Sequence, residues 1–421
     1  MGRAKSGERL SAADASNVVI DALDQVNAFL MAGLLAPGGF VTAEGAADMD
    51  RLRTGIADRL GEDRAGLGRF AQSVRPDGRH LVWAPCAPDL TVHVREVAAV
   101  DGTEGLARLC AALMTTPLPI DRPLWEVLVV PGAWTEGPGI VVRFHHALSD
   151  GVGAVGLVDG LLGQGRVVPS VSRPGTRTAP RNRRRSLLTG IARVTSMLRA
   201  SVPPTVLLGP ISARRGTAFV DVELEGISRG ARAAGGTVND ALLAAVAGAV
   251  EDALVAGGHP VPASIPASVP VALPDRGRSG NAVGLMRVEL PTGEPDPAVR
   301  VARIAALTRR EKSEARAQGT FELTRTRWGA RLFAALARHQ RFIALFVTNV
   351  RGPEEQMILG GAPLEMAWPL TPIQGNVRLG VSALSYRGRL GCAIHVDAQA
   401  LRGDVLAASI EDQLDRIAAR P

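Results

Sequence analysis

Three side chains within six residues are suited to moving a proton: His145, His146 and Asp150, in the run Gly139-Ile140-Val141-Val142-Arg143-Phe144-His145-His146-Ala147-Leu148-Ser149-Asp150-Gly151. An imidazole titrates near neutral pH, so it can take a proton from a hydroxyl and hand it on. The first half of the run is apolar, rich in β-branched residues and opened by Gly137-Pro138-Gly139, which predicts a buried strand. The second half predicts a turn at Asp150-Gly151 and a short helix, Val152 to Leu162. Side chains alternate along a strand, so Val142, Phe144 and His146 share one face while Val141, Arg143 and His145 share the other. The two histidines therefore have different tasks, one buried and hydrogen-bonded, the other facing a cavity. Residue types alone leave two readings open: a general base beside an orienting group, or a satisfied core histidine beside a turn-capping aspartate. No thiol or carboxylate cluster supplies a third metal ligand, so no metal site is expected.

The elements that must hold this run follow from periodicity. Ser11 and Asp14 form a capping signature at the start of a first helix. Thr42 with Glu44 and the apolar spacing of Met49, Leu52, Ile56 and Leu60 predict a second, amphipathic helix that runs to about Arg59. Residues 79–100 are β-rich and predict extended chain, and Thr103 to about Met114 predicts a helix ended by the prolines at 117 and 119. Pro123 to Val130 predicts a strand just before the histidine strand. Residues 166–216 are rich in arginine and proline and read as a linker, with one basic amphipathic helix from Ser186 to Ala200. Such a helix can lie on an anionic membrane or pack as an inter-lobe crossover. The strand-and-helix pattern restarts after it: a strand Phe219–Leu224, a short helix Ser228–Ala234, and Thr237-Val238-Asn239-Asp240 capping a long helix that ends at Gly257-Gly258. Strands at 267–273, 283–290 and 343–350, a helix from Asp296 to about Arg316, a hairpin turning at Arg387-Gly388 and a last helix from about Arg402 to Ala418 complete it.

With 421 residues, 46% of them hydrophobic and 21% charged, the chain has material for two cored lobes. Its three cysteines are scattered, which predicts neither disulfides nor zinc and suits a reducing cytosol. The start matches a myristoylation pattern, a common chance match; it lacks a signal-peptide core, and no apolar stretch is long enough to span a bilayer. The net charge of +7 arises locally, because eleven arginines and no acids lie between Gly160 and Val220; without them the chain sits at about −4. With 4% aromatic residues, nucleic acid is not an expected partner.

Taken together, the motifs resemble the bacterial wax ester synthase/diacylglycerol acyltransferase family. This belongs to the HHxxxDG superfamily of CoA-dependent acyltransferases, with chloramphenicol acetyltransferase and condensation domains. His145 to Gly151 fits the HHxxxDG signature at each fixed position. Pro123-Leu124-Trp125 is similar to the family's PLW motif and Asn239-Asp240 to its ND motif. Gly280-Asn281-Ala282-Val283-Gly284 resembles a GN-type segment, and Thr348-Asn349-Val350-Arg351-Gly352-Pro353 an SNVPGP-like stretch. The likeness runs from about Arg9 to Ala418. It departs at Arg351, where the family has proline, and the chain is shorter than usual members.

The resemblance implies an α/β (α+β), two-lobed chloramphenicol acetyltransferase-like fold, each lobe a mixed sheet flanked by helices, with an active-site channel between them. The expected division is an N-terminal lobe over 1–165, the linker over 166–216 and a C-terminal lobe over 217–421. The implied activity is O-acyl transfer from acyl-CoA to a diacylglycerol or long-chain alcohol, without cofactor or covalent intermediate; no GxSxG elbow is present. His146 is implied as general base, His145 as its orienting neighbour, Gly151 as the tight-turn residue, and Asp150 as half of a structural salt bridge, with Arg69 and Arg95 as candidate partners. Asn239 is the candidate oxyanion donor, set against plain helix capping by Asn239 and Asp240. Pro123, Leu124, Trp125, Asn281 and Asn349 are expected to be structural or channel residues. The implied setting is cytoplasmic, with an option of peripheral contact at the inner membrane face or a lipid droplet. Competing readings are a tailoring or condensation-type acyltransferase, a glycerolipid HX4D acyltransferase, which would need an absent FPEG-like motif, and a non-catalytic acyl-CoA- or lipid-binding relative.

Overall fold

The computed structural model describes residues 7–21, 25–62, 67–78, 80–149, 151–163, 202–272, 283–318 and 327–420. In chain order the elements are β1 (Glu8–Arg9), α1 (Ala12–Asp21), β2 (Ala28–Leu35), α2 (Met49–Gly61), β3 (Gln72–Asp77), β4 (His80–Pro85), α3 (Leu90–His93), β5 (Val94–Glu96), α4 (Gly102–Leu113), β6 (Trp125–Val130), β7 (Gly139–His145) and α5 (Gly151–Leu162). Then follow β8 (Arg215–Glu223), α6 (Leu224–Ala233), α7 (Val238–Ala256), β9 (Ser264–Ala272), β10 (Val283–Pro291), α8 (Pro297–Gln318), α9 (Arg327–Ala337), β11 (Leu345–Arg351), β12 (Ile358–Leu359), β13 (Ala362–Leu370), β14 (Leu379–Tyr386), β15 (Arg389–Asp397) and α10 (Gly403–Ala418).

Two six-stranded mixed sheets carry the two lobes. The first has the order β12-β13-β2-β7-β6-β5 and the second β10-β9-β11-β14-β15-β8, with a small third sheet, β1-β4-β3, at the side. Only β5–β6 is parallel in the first sheet, and β11 runs parallel to both its neighbours in the second. The mixed sheets match the fold expected from the motifs. Strands β12 and β13 come from the second half of the sequence but complete the first sheet, so the chain crosses from one lobe to the other and back.

Alternation along β7 sorts its neighbours as expected. Ile140, Val142 and Phe144 join a core with Phe29, Trp125, Leu52 and Ile56, while Val141 packs on the other face with Leu30, Leu106 and Trp368. Each such large apolar side chain contributes roughly 1.5–3 kcal/mol by leaving water. The lobes meet where β13 lies on β15 and β8. A Cβ on Gly391 would fall 2.3 Å from the Ala367 carbonyl, so only glycine permits that approach. Trp368 stacks on Phe219 at 4.6 Å and donates its indole N–H to the Val220 carbonyl at 3.2 Å.

Several local expectations change. Leu90–His93 is a helical turn rather than strand, because Asp89 caps it through the Thr91 N–H at 2.9 Å. The second helix starts at Met49, capped by Asp48, and not near Thr42. Strands β2 and β13 and helix α9 had no predicted counterpart. The Ser186–Ala200 helix lies outside the described residues. The hairpin turn is as expected: Arg387 and Gly388 take φ of 49° and 74°, the left-handed pair that suits a two-residue loop.

Candidate active site

The site begins where the β2–β7 ladder ends. Ala28 pairs with His145 as the last rung, and the ladder runs one bond further, from the His146 N–H to the Asn27 carbonyl at 2.9 Å. That bond turns the chain so that the two histidines separate. The His145 ring is fully buried, and its Nδ1 accepts the Ala147 N–H at 3.0 Å. A neutral ring that accepts at Nδ1 carries its proton on Nε2, and Nε2 points at Asp21 Oδ2, 3.7 Å away. The other Asp21 oxygen accepts the Asn27 N–H at 2.7 Å. The His145 ring is therefore fixed at Nδ1, while Nε2 has the Asp21 carboxylate nearby but no hydrogen-bond partner.

The His146 ring is only partly buried. Phe29 meets it edge-on at 5.7 Å, and Asn17 Nδ2 lies 3.2 Å from its carbonyl and 3.5 Å from its Nδ1. The difference in burial expected from strand alternation is what the structure shows: His145 is sealed and His146 partly exposed. Asn17 stands on α1, whose start is capped by the Ser11 hydroxyl accepting the Asp14 N–H at 3.1 Å.

Residues 123–125 brace this strand end. The Leu124 carbonyl accepts the His145 N–H at 3.0 Å. Trp125 is buried, donates to the Phe70 carbonyl at 2.9 Å, and its own carbonyl takes the His93 Nδ1–H at 2.7 Å. Burial holds His93 below the usual histidine range. The buried Arg143 is matched across the ladder by Glu126 at 2.9 Å, and Arg95 approaches the same carboxylate at 3.5 Å. Arg69 pairs with Glu8 at 2.8 Å and lies over the Trp83 ring. Asp150 and Asn281 lie outside the described residues. Gly151 opens α5.

Asn239 and Asp240 sit elsewhere. They begin α7, whose apolar side chains share a core with Cys392, Ile394 and Val396 of β15. Ala393, on the opposite face of that strand, packs with the first lobe. The buried Asp240 forms a capping box with Thr237 and accepts the Thr308 hydroxyl at 2.7 Å. Asn239 is half-buried beside it, and Asn349 is a half-buried residue of β11. Arg351 ends that strand pointing to solvent and pairs with Glu354. A cavity of about 410 Å³ lies between α2, the far end of α5 and Gly360-Gly361, and none of the predicted site residues lines it. Among the described residues no cluster of three or more His, Cys, Asp or Glu could hold a metal ion, and no helix is long and apolar enough to cross a membrane.

Sequence reading missed Asn17, Asp21, Asn27 and Gln374. Asp21 and Asn27 flank the start of an apolar run, and only its pairing with β7 reveals what they touch.

The architecture matches a wax ester synthase/diacylglycerol acyltransferase from Marinobacter aquaeolei VT8, with a TM-score of 0.72 at 20% identity over 97% of this chain and 98% of that one. It also matches the first condensation domain of the calcium-dependent antibiotic synthetase, with a TM-score of 0.63 at 15% identity over 99% and 96%. These likenesses define the class as a two-lobed, chloramphenicol acetyltransferase-like fold. Residues 10–202 match the wax ester synthase/diacylglycerol acyltransferase catalytic domain, and residues 279–418 match its C-terminal domain. A putative diacylglycerol O-acyltransferase of Mycobacterium tuberculosis is 30% identical, over 72% of this chain and 69% of its own length. A probable one from the same species is 29% identical over 91% of each. The chain belongs to the wax ester synthase/diacylglycerol acyltransferase family, and it is an acyltransferase.

Proposed function

We propose that the protein transfers a fatty acyl group from acyl-CoA to the hydroxyl of a diacylglycerol or a long-chain alcohol, directly and with His146 as general base. The observation that carries this reading is the pair of histidines at the end of β7. One is locked in the core; the other is partly exposed beside Asn17 and Phe29. The relatives named as diacylglycerol O-acyltransferases support the substrate class.

In the reaction, the imidazole of His146 takes the acceptor's hydroxyl proton as the oxygen attacks the thioester carbonyl. The new C–O bond forms, the C–S bond breaks, and the proton passes from the imidazolium to the departing CoA thiolate. Nothing in this sequence needs an acyl-enzyme. The carbonyl oxygen gains charge at the tetrahedral stage and needs a donor; Asn239 is the candidate from the sequence motif. His145 orients the turn, with Asp21 behind it. Gly151 permits the turn, Asp150 is assigned to a structural salt bridge, and residues 123–125 and Asn349 contribute structure. The basic helix expected from Ser186 to Ala200 is the candidate for contact with an anionic lipid surface, its alternative being an inter-lobe crossover.

The test is thiol release by the purified chain from a long-chain acyl-CoA, with a diacylglycerol, a long-chain alcohol and a small polar alcohol compared side by side. The lipid acceptors should react fastest. Preference for the polar alcohol would turn the reading toward a tailoring enzyme, and absence of thiol release with all three would leave a binding protein.

A further inference from the structure

We infer that Gln374, Asn27 and Asn17 form a directed chain of amides that positions His146 from the opposite lobe; the inference rests on the general-base reading above. Gln374 follows β13 in the stretch that leads to β14 of the second sheet, and its Nε2–H donates to Asn27 Oδ1 at 2.6 Å. Asn27 Nδ2–H donates to Asn17 Oδ1 at 3.2 Å and to the Asn17 carbonyl at 2.9 Å. Asn17 Nδ2–H in turn donates to the His146 carbonyl at 3.2 Å, which holds the residue by its main chain and leaves the ring lone pair for the acceptor; Nδ2 lies 3.5 Å from the ring Nδ1.

The direction of this chain is dictated by the main chain. A carbonyl oxygen only accepts, so the carbonyls of Asn17 and His146 require a nitrogen opposite them and settle which way each asparagine amide faces. With both settled, Asn27 Oδ1 must receive a donor, and Gln374 supplies it. Reversing any one amide would set oxygen against oxygen at its neighbour. Asn27 is almost fully buried and all four of its polar groups are used: N–H to Asp21, carbonyl from His146, and the two amide contacts. A buried amide left half-satisfied is costly, so the three side chains hold one another in place.

Beside the chain, Gln25 and Gly375 exchange two bonds of 2.9 Å, which tie the same loop to the residues leading into β2. The relay is therefore complete only while the 371–378 loop is seated against the first lobe. Asn17, Asn27 and Gln374 are positioning residues: they touch the base or each other, and they act by holding the imidazole where the hydroxyl arrives.

The test uses the full-length chain with acyl-CoA and its best acceptor. Displacing a base by about an ångström costs up to roughly 10²-fold in rate. Asn17→Ala should lower kcat about 10- to 100-fold with KM for the thioester within about 2-fold of wild type. Gln374→Leu should lower kcat about 5-fold on the same basis, and the double variant should match Asn17→Ala alone, because links in series do not add. Gln374→Glu replaces one amide nitrogen by oxygen in a half-buried loop, so it reads the chain even if Asn17→Ala compromises folding, and its kcat should fall with KM unchanged. Wild-type kcat in the Gln374 variants, or losses that multiply in the double variant, would overturn the inference. Should His146→Ala itself keep full activity, the general-base reading fails instead, whatever Asn17 does.

Discussion

Two turns of this chain hold similar places, each at the start of a helix, and differ in where their partners come from. His145 to Gly151 and Thr237 to Asp240 are both short polar clusters that open a helix, α5 in the first lobe and α7 in the second. In the second turn the bonds close locally: Asp240 Oδ2 takes the N–H and hydroxyl of Thr237, at 2.9 and 2.7 Å, and the distant partner is a single hydroxyl on α8. In the first turn the partners come from α1, from the chain entering β2 and, through Asn27, from the loop after β13. A polar cluster satisfied by its own turn stabilises a helix end. One satisfied from several separate stretches at a seam between sheets, with a ring left partly open, is the one to which we assign the chemistry.

The widest test of that contrast is His146→Ala. Loss of a positioned base should reduce kcat by about 10²–10⁴-fold, with an unchanged far-ultraviolet circular dichroism spectrum and melting temperature. An active His146→Ala protein would erase the difference between the two turns. Asn239→Ala is the complementary experiment. If this turn only starts α7, activity should stay within about 3-fold of wild type, since its capping bonds are made by Thr237 and Asp240 and not by Asn239. A loss near 10²–10³-fold would instead make Asn239 an oxyanion donor and give the second turn a share in the chemistry.

A third histidine shows what full burial does. His395 on β15 is sealed, donates its Nδ1–H to the Thr371 carbonyl at 2.9 Å, and burial pushes its pKa down to about 4 from an ordinary 6.5. The unfolded chain therefore binds this proton more readily than the folded one. Its contribution to stability is present above pH 6.5 and is lost as the pH falls toward 4, by up to about 3 kcal/mol. Urea midpoints measured at pH 7 and pH 4.5 should draw closer in His395→Asn than in wild type. An unchanged gap would mean that His395 does not remain neutral in the fold. His146, by contrast, is only partly buried.

How much of this could be read without coordinates follows the same local-versus-distant line. The β7 strand, its alternation, the Thr237–Asp240 capping box and the Arg387-Gly388 turn are encoded within a few residues, and all are visible in the sequence. Strand β2 was not, because it is buried on both faces and so shows no period-two alternation: Ala28 to Leu35 is one apolar run. Strand β13 was hidden by Pro363 and Pro369, which argue against an interior strand. The motif residues His145 and His146 stand out by type, but Asn17, Asp21, Asn27 and Gln374 are ordinary polar residues until pairing of β2 with β7 brings them together. Arg143 was equally opaque: a charge in a buried strand makes sense only with Glu126 opposite it.

Asp240→Ala should cost about 1–3 kcal/mol, because the Thr308 hydroxyl and the Thr237 N–H would be left buried or half-buried without their acceptor. The folded fraction should keep its specific activity; a parallel fall in kcat would again draw the second turn into the site.

The smallest effect is expected at the one motif position that departs from the family. Arg351 ends β11 with its side chain 83% exposed and pairs only with Glu354, equally exposed. An ion pair in open solvent is worth about 0–1 kcal/mol and weakens further with salt. Arg351→Pro restores the family residue at the last residue of the strand. Its N–H would be removed, but φ near −65° is available at a strand end. The melting temperature should move by no more than about 2 °C, the scale of a few tenths of a kcal/mol in a chain this long, and acceptor preference in the thiol-release assay should not change. A shift of preference from lipid to polar alcohols, or the reverse, would mean that this exposed strand end touches the acceptor. The comparison between a local, stabilising turn and a distant-partnered, chemical one would then need a third region, the end of β11, on the chemical side.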